Sequence, residues 1–279
     1  MSTATLHEAA LLVELTIRQW TATRHDKAVS REVEDAHHAV HAGRYTKTLV
    51  DKKLLEPLAK AAQAIRKWHY AQTLPWSDNG TRLLPSRLLM DYRDRLHKLI
   101  VEFDRAAGEF CAEYPNAIQA ARTRLGSMFD LSDYPQAATL RQAFGVELDF
   151  TPIPSASDVR LKIAGDEQEE IKNSITEAVH ARHARALRGC YEQLRTLLLR
   201  VKEQCSRDSP VIRTSLMGNL REFLNVISAF NITGDAQLAQ IEDDIRRNVL
   251  ADADTLRASS HARAGIAAAT EAILRKMPV

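Results

Sequence analysis

Glycine and proline are scarce in this chain, with 10 Gly and 9 Pro among 279 residues. This scarcity argues against a loop-rich all-β fold, which needs many turn-forming residues. Long apolar runs are also missing, since the longest are short stretches such as LLVEL near the start and TLLLRV at 196–201. A helix that spans a bilayer needs roughly 20 apolar residues in a row, so none is expected.

Cysteine is rare as well, and the three residues of this type are odd in number. Cys190 and Cys205 belong to one predicted helix, where fifteen residues correspond to about 22 Å of rise, too far for a disulfide. The N-terminus MSTATLHEAALLVEL lacks a basic segment and carries Glu8 and Glu14, which is unlike a signal peptide. We therefore expect a protein of the reducing cytoplasm.

Charges of the two signs nearly cancel. Lys and Arg number 38 against 36 Asp and Glu, for a net charge of +2. This balance neither favours nor excludes nucleic acid as a partner, because a local basic face can exist on a neutral protein. A content of 45% hydrophobic and 27% charged residues is typical of globular domains, and the length allows one large domain or two small ones.

Three stretches alternate apolar and polar residues with the period of a half-buried strand. They are LVELTIRQW at 12–20, VELDFTPIP at 146–154 and DVRLKIA at 158–164. The link PIPSAS is too short for a crossover between parallel strands, so the last two are predicted to pair antiparallel. No other stretch has a strand pattern, and a three-stranded antiparallel sheet is expected.

Helical periodicity covers most of the remaining sequence. Helices are predicted at 26–43 with Asp26 as the cap, 51–73, from Pro85 to about 113, beyond Pro115, 166–205, 213–230, 235–250 and 253–276. The fold class is therefore α+β and predominantly α-helical, with long helices. Residues 1–165 are expected to hold helical hairpins and the sheet, and 166–279 a long helix with a C-terminal bundle, as one continuous domain.

Two Glu-x-x-His spacings, Glu34 with His37 and Glu177 with His180, raise the question of a metal site. Two such helices with two further carboxylates make a di-iron centre. REVEDAHHAV is polar on nearly every side, so Glu34 and His37 are expected to face water. His183 falls within the apolar stripe of its helix and is predicted to be partly buried. We expect no metal ligand here.

The segment HARHARALR places Arg182, Arg185 and Arg188 at three-residue steps, a local basic ridge able to contact phosphates. The alternative is a solvated helix face with salt bridges, since Glu177 and Glu192 lie nearby. No interleaved aromatic residues indicate base stacking. The solvated face is the favoured interpretation.

Signatures of enzymes are missing from the sequence. It contains no GxxxxGK phosphate loop, no GxGxxG, no GxSxG and no CxxC. Missing motifs do not exclude an enzyme, but we predict no catalytic residues and no cofactor.

The stretch LPWSDNGTRLLP at 74–85 separates two predicted helices. Asp78 begins an Asp-Asn-Gly turn, and Arg82 is placed to pair with Asp78 across it. Trp76 is predicted to be buried as the anchor of the turn, and Arg82 to be exposed beside it. Trp76, Asp78 and Arg82 are the candidate partner-binding residues, because tryptophan and arginine dominate binding hot spots.

Several segments carry a resemblance to a known family. In order they are LVELTIRQW with TATRHD, LPWSDNGTRLLP, RLGSMFDLSDYP and FGVELDFTPIPSASDVRLKI. Over residues 6–205 the chain resembles a family of phage and prophage proteins, domain of unknown function 3150. The resemblance implies a phage-encoded accessory factor in the host cytoplasm. Its implied partners are a MoxR-type AAA+ ATPase and a von Willebrand A-like protein, and it brings no catalytic motif.

Two classes of function remain after these observations. The first is a non-enzymatic adaptor or assembly factor that binds proteins through helical faces, with a homo-oligomer left open. The second is a nucleic-acid-associated factor that uses the ridge and four arginines of the C-terminal helices, namely Arg246, Arg247, Arg257 and Arg263. The adaptor is the favoured interpretation.

Overall fold

The computed structural model describes residues 3–158, 165–207, 212–232 and 234–278. The predicted α+β, mostly helical class is confirmed. The helices are α1 Thr3–Ala9, α2 Lys27–Ala36, α3 Lys52–Gln72, α4 Leu89–Leu125, α5 Ala137–Leu140, α6 Gly165–Cys205, α7 Thr214–Phe230, α8 Ala236–Asn248, α9 Ala253–Ala258 and α10 Ser260–Lys276. The strands are β1 Ala10–Arg18, β2 Thr23–His25, β3 Thr46–Thr48, β4 Leu74–Pro75, β5 Arg82–Pro85 and β6 Gly145–Thr151.

The strands form a four-stranded sheet in the order β4-β5-β1-β6 and a two-stranded sheet of β2 and β3. The predicted strands near 12–20 and 146–152 are thus confirmed as neighbours. β1 and β5 run antiparallel, with Ala10 opposite Pro85 and Val13 opposite Arg82. The prediction that no other stretch forms a strand is wrong, because β2, β3, β4 and β5 are strands. Of the third predicted strand, residues 159–164 lie outside the described part of the chain.

The predicted ranges of the two long helices α3 and α6 agree with the structure, whereas the predicted end of α2 does not. α3 and α6 match the predicted ranges within one residue at each end. α2 has its predicted Asp26 cap but ends at Ala36 rather than near 43, because His38 and His41 adopt positive φ angles of 50° and 54°. No helix in the described ranges combines the length and apolar character needed to cross a bilayer.

Three predicted features of α4 and of the C-terminal region are wrong. Pro115 does not interrupt α4; it lies on the exposed side, where water can replace the hydrogen bond that proline removes. Pro85 does not begin the helix, because it closes β5. The predicted helix 253–276 divides at Ser259, whose hydroxyl accepts from the Ala262 N–H at 3.1 Å and caps α10.

The chain groups into two compact units, and the first comprises Met1–Glu14, His69–Arg93 and Asp149–Val279. Its core is one hydrophobic cluster. The cluster contains apolar side chains from the five helices α6, α7, α8, α9 and α10, and from β4, β5 and the start of β1. α6 packs against α7, α10 and β4. This arrangement fixes the hairpin of β4 and β5 to the longest helix of the unit.

The second unit comprises Leu15–Trp68 and Asp94–Leu148. The predicted apolar stripes of α3 and α4 are buried in it, with Leu58, Ile65, Leu96 and Phe103 as members. Aromatic rings add edge-to-face contacts, with ring centroids 5.6 Å apart for Trp20–Tyr114 and 5.7 Å apart for Phe110–Phe144. Such pairs stabilise a core beyond the area that they bury.

Candidate functional site

The stretch LPWSDNGTRLLP forms a β-hairpin rather than a plain connector between helices. β4 and β5 pair antiparallel, with Leu74 opposite Leu83 and Pro75 opposite Arg82. β5 also pairs with β1 on its other side, and both Leu83 and Leu84 are fully buried. The hairpin is thus part of the four-stranded sheet.

A four-residue turn at Ser77–Gly80 closes the hairpin. The Trp76 N–H donates to the Thr81 carbonyl at 3.1 Å, and the Gly80 N–H donates to the Ser77 carbonyl at 3.4 Å. Gly80 has a φ of +99°, in the region that glycine adopts without strain. Asp78, at the tip, is exposed, so the turn offers its polar groups to solvent.

Thr81 ties the base of the turn to strand β1. Its hydroxyl donates to the Glu14 carboxylate and lies 2.8 Å from Asn79 Oδ1. The Thr81 N–H also donates to Asn79 Oδ1 at 3.2 Å. Asn79 therefore fixes the turn from within, while Glu14 fixes it to the sheet.

Trp76 is buried, as predicted, with 2% of its surface exposed. It belongs to the hydrophobic cluster of the first unit, together with apolar residues of α6. Gly189 of α6 lies close to the hairpin, because a Cβ added there would come within 3.7 Å of Pro75 Cγ. The tryptophan side chain thus anchors the hairpin in the core beside α6.

The prediction that Arg82 is exposed and pairs with Asp78 is wrong. Its Nε donates to Thr73 Oγ1 at 2.6 Å, and its Nη2 donates to the Thr73 carbonyl at 2.7 Å. The guanidinium lies over the Tyr70 ring, 4.7 Å from the centroid. Arg82 is partly buried and holds β5 against the end of α3, so it positions the hairpin.

Behind Arg82 lies a buried pair of polar rings. His69 Nδ1 is 2.7 Å from the Tyr92 hydroxyl, and both residues are buried. Burial, and then the positive charge of Arg82, lowers the pKa of His69 to about 4. Burial raises the pKa of Tyr92. Both rings are therefore neutral near pH 7, and their burial gives them a structural role at the base of the hairpin.

The neutral state of His69 predicts a dependence of stability on pH. Between pH 6.5 and about 4, the unfolded chain binds a proton at His69 that the folded chain does not. The free energy of unfolding should fall by up to about 1.4 kcal/mol for each pH unit of acidification in this window. Urea unfolding from pH 7 to 4.5 measures it, and His69→Asn should flatten the slope. Equal slopes for both proteins would disprove the assignment.

A buried lysine in the second unit escaped prediction. Lys47 has 6% of its surface exposed, and its Nζ lies 2.6 Å from Asp133 Oδ2 and 3.4 Å from Asp26 Oδ2. It also donates to the Met128 carbonyl at 2.9 Å. Arg24 Nε adds a second cation, 3.3 Å from Asp133 Oδ1. The lysine joins β3 to the cap of α2 and to the segment after α4.

Electrostatics make this lysine a structural group. Its hydrogen bond with Asp133 is the largest cause that raises the pKa of Lys47, so the ammonium stays charged and is a poor nucleophile. The Val29 N–H is the largest cause that lowers the pKa of Asp26. The partners Asp26 and Asp133 lie in TATRHD and RLGSMFDLSDYP, which are far apart in the sequence. Local periodicity cannot predict that residues so far apart in the sequence come into contact.

Arg182, Arg185 and Arg188, here called the arginine ridge, are all exposed on α6. None of the three has an ion pair or hydrogen bond within the ranges that the structure describes. The expected solvated face is thus observed without the expected salt bridges. Glu177 and Glu192 are exposed on the same helix but form no ion pair with the ridge.

The four arginines of the C-terminal helices are engaged elsewhere. Arg246 pairs with Glu242 at 2.9 Å and donates to the Leu224 carbonyl, and Arg247 pairs with Asp243. The other two bind main-chain carbonyls: Arg257 that of Ile212 and Arg263 that of Leu256, each at 2.9 Å. These arginines do not extend the ridge as a free basic surface.

The histidine and carboxylate pairs do not converge. No group of three or more His, Cys, Asp or Glu side chains is placed to hold a metal ion among the described residues. Glu34 Oε1 accepts from the Ala42 N–H at 3.2 Å, while His37 and His180 are exposed. His183 is buried, as predicted, and burial followed by the charge of His180 lowers its pKa. That the protein binds no metal tightly stays a prediction.

No protein-family model, curated protein or solved structure matches this chain. The resemblance to the phage family therefore stays a prediction.

Proposed function

We propose that the protein is a non-enzymatic adaptor that binds a protein partner through the exposed turn Ser77–Gly80. One observation supports this proposal. The tip of the turn faces solvent, whereas Trp76, Thr81 and Arg82 fix its base to the core, to β1 and to the end of α3. Binding residues are found disproportionately on loops that a rigid scaffold positions.

Rigidity gives the turn an energetic advantage. Ordering a flexible loop on binding costs free energy that a preorganised loop does not lose. Asn79 hydrogen-bonds within the turn, and Gly80 already holds its positive φ angle. The Asp78 carboxylate has no hydrogen bond or ion pair in the described structure and is free to accept hydrogen bonds from a partner.

The roles of the three candidate residues now differ. Asp78 is the residue that contacts the partner. Trp76 and Arg82 act through the hairpin, because one is buried and the other is held by Thr73. The resemblance names the first partners to test: a MoxR-type AAA+ ATPase and a von Willebrand A-like protein, in the cytoplasm of a phage-infected host.

Binding measurements with these two purified partners test the proposal. Asp78→Asn removes the charge but keeps a side chain that suits the turn, and it should weaken binding about tenfold, or 1.4 kcal/mol. Gly80→Ala should also weaken binding, since its φ of +99° strains any other residue. The matched control is Glu222→Gln, an exposed carboxylate on α7, which should bind like the unchanged protein.

Stability measurements separate contact from positioning. Asp78→Asn should leave the melting temperature unchanged, whereas Arg82→Ala should lower both the melting temperature and the affinity. Equal binding by all four variants would refute the role of the turn. Failure of the unchanged protein to bind either partner would refute these partners.

A further inference from the structure

We propose that the arginine ridge of α6 binds the phosphate backbone of a nucleic-acid duplex without reading its sequence. This second binding surface is separate from the turn at Ser77–Gly80. The proposal rests on the exposure, spacing and lack of partners of Arg182, Arg185 and Arg188.

The ridge lies between two flanking carboxylates, Glu177 and Glu192. Residues 178–191, AVHARHARALRGCY, contain three arginines and no aspartate or glutamate. They extend over about 21 Å of helix, which is long enough to follow several phosphates, since a duplex carries one charge for about each 1.7 Å of its axis. The ridge therefore offers a concentrated positive charge on a chain whose net charge is only +2.

Steric access to the guanidinium groups is open. Ala181 comes directly before Arg182, Ala184 lies between Arg182 and Arg185, and both alanines are exposed. Their methyl groups are too small to shield the arginines from a flat or convex partner. Successive arginines rise by about 4.5 Å and turn by about 60° around the helix, so the three side chains spread over a broad surface.

The chemistry of the ridge favours a phosphate backbone over bases. Guanidinium groups bind phosphate with two parallel hydrogen bonds. The aromatic residue of this segment, Tyr191, is buried and bonds Asp235 at 3.1 Å, so it offers no platform for an unpaired base. A duplex, whose bases are already stacked, suits the ridge better than a single strand.

The hairpin gives the ridge a defined end. Gly189 follows Arg185 by four residues and Arg182 by seven, so it lies on the same side of α6. Pro75 lies against that position, one helical turn beyond Arg185. A bound duplex would thus approach the hairpin, and the protein partner and the nucleic acid would occupy neighbouring surfaces of the same unit.

Fluorescence anisotropy of the full chain with a labelled DNA duplex of about 30 base pairs, at about 50 to 200 mM salt, tests the proposal. The variant Arg182→Gln/Arg185→Gln/Arg188→Gln should lose at least about tenfold in affinity at the lowest salt, and the slope of log K against log salt should decrease by about 2–3. Its melting temperature should not change, because these side chains have no partners in the described structure.

The matched control removes the same charge elsewhere. Arg207, Arg247 and Arg275 are exposed but paired with Glu203, Asp243 and Glu271. Their triple replacement by glutamine should change affinity for the duplex less than about threefold. An arginine that is already paired with a carboxylate contributes little to phosphate binding and to the release of counterions from the duplex. An equal loss in both triple variants would refute the ridge and leave net charge as the cause.

Other ligands complete the test. A DNA and an RNA duplex should both bind, because the contact is to phosphate. Stronger binding of a single strand, or equal competition by polyglutamate, would overturn the proposal in favour of bases or an acidic protein. Asp78→Asn should leave duplex binding unchanged, so failure at the turn and failure at the ridge are distinguishable.

Discussion

Replacing Trp76 with alanine should lower the free energy of unfolding by about 3–5 kcal/mol, as truncation of large buried aromatic residues does. The indole is 2% exposed and belongs to the cluster that joins β4 and β5 to α6. Its loss leaves a cavity beneath the turn, and the hairpin loses its anchor in the core. Urea unfolding followed by circular dichroism measures the change.

Two further substitutions make this test specific. Trp76→Phe keeps most of the apolar volume and should cost less than the alanine variant. Met90→Ala removes a side chain that is largely exposed and should change stability by less than about 0.5 kcal/mol. A Trp76→Ala protein as stable as the unchanged one would show that the indole does not anchor the hairpin.

Replacing Lys47 with methionine should lower the free energy of unfolding by about 3–5 kcal/mol, the range found when one partner of a buried ion pair is removed. Methionine fills a similar volume but cannot neutralise Asp133 or Asp26. Arg24 lies 3.3 Å from one oxygen of Asp133 and is mostly exposed, so it compensates poorly. Equilibrium unfolding in urea at pH 7 is the measurement.

A double-mutant cycle distinguishes charge from packing at this position. Asp133→Asn together with Lys47→Met removes both members of the closest pair, 2.6 Å apart. The double variant should cost less than the sum of the two single variants by at least about 1 kcal/mol. Strictly additive losses would mean that Lys47 and Asp133 are not energetically coupled.

Periodicity explains what could be predicted from the sequence. β1 and β6 each alternate apolar and polar residues over six positions, and α3 and α6 repeat their apolar residues over many turns. Signals of this length outweigh the preferences of single residues. The α+β class followed from these patterns, whereas the burial of Trp76 was expected because indole rings pack more often than they bind.

Short and central strands gave no such signal. β4 has two residues and β5 has four, and prolines lie at the end of each. Leu83 and Leu84 point to opposite faces of the sheet, yet both are buried, so the alternation expected of a half-buried strand is missing. The sequence pattern therefore predicted a turn between two helices, not a hairpin of two strands.

Long-range polar contacts were equally hidden. Arg82 was expected to reach Asp78 across the turn, yet Thr73 offers two acceptors and Tyr70 a ring face on the other side. Lys47 finds Asp133 at a separation of more than eighty residues. Sequence spacing shows which residues share an element, but not which elements meet.

The short strand β4 also affects how molecules of this protein meet each other in concentrated solution. It is the outermost strand at one end of its sheet, and open outer strands invite a strand from another molecule, the usual first step of aggregation. Pro75 has no N–H to donate to an added strand from another molecule, and α6 packs against β4. Polymerisation by strand addition is therefore blocked at this end of the sheet.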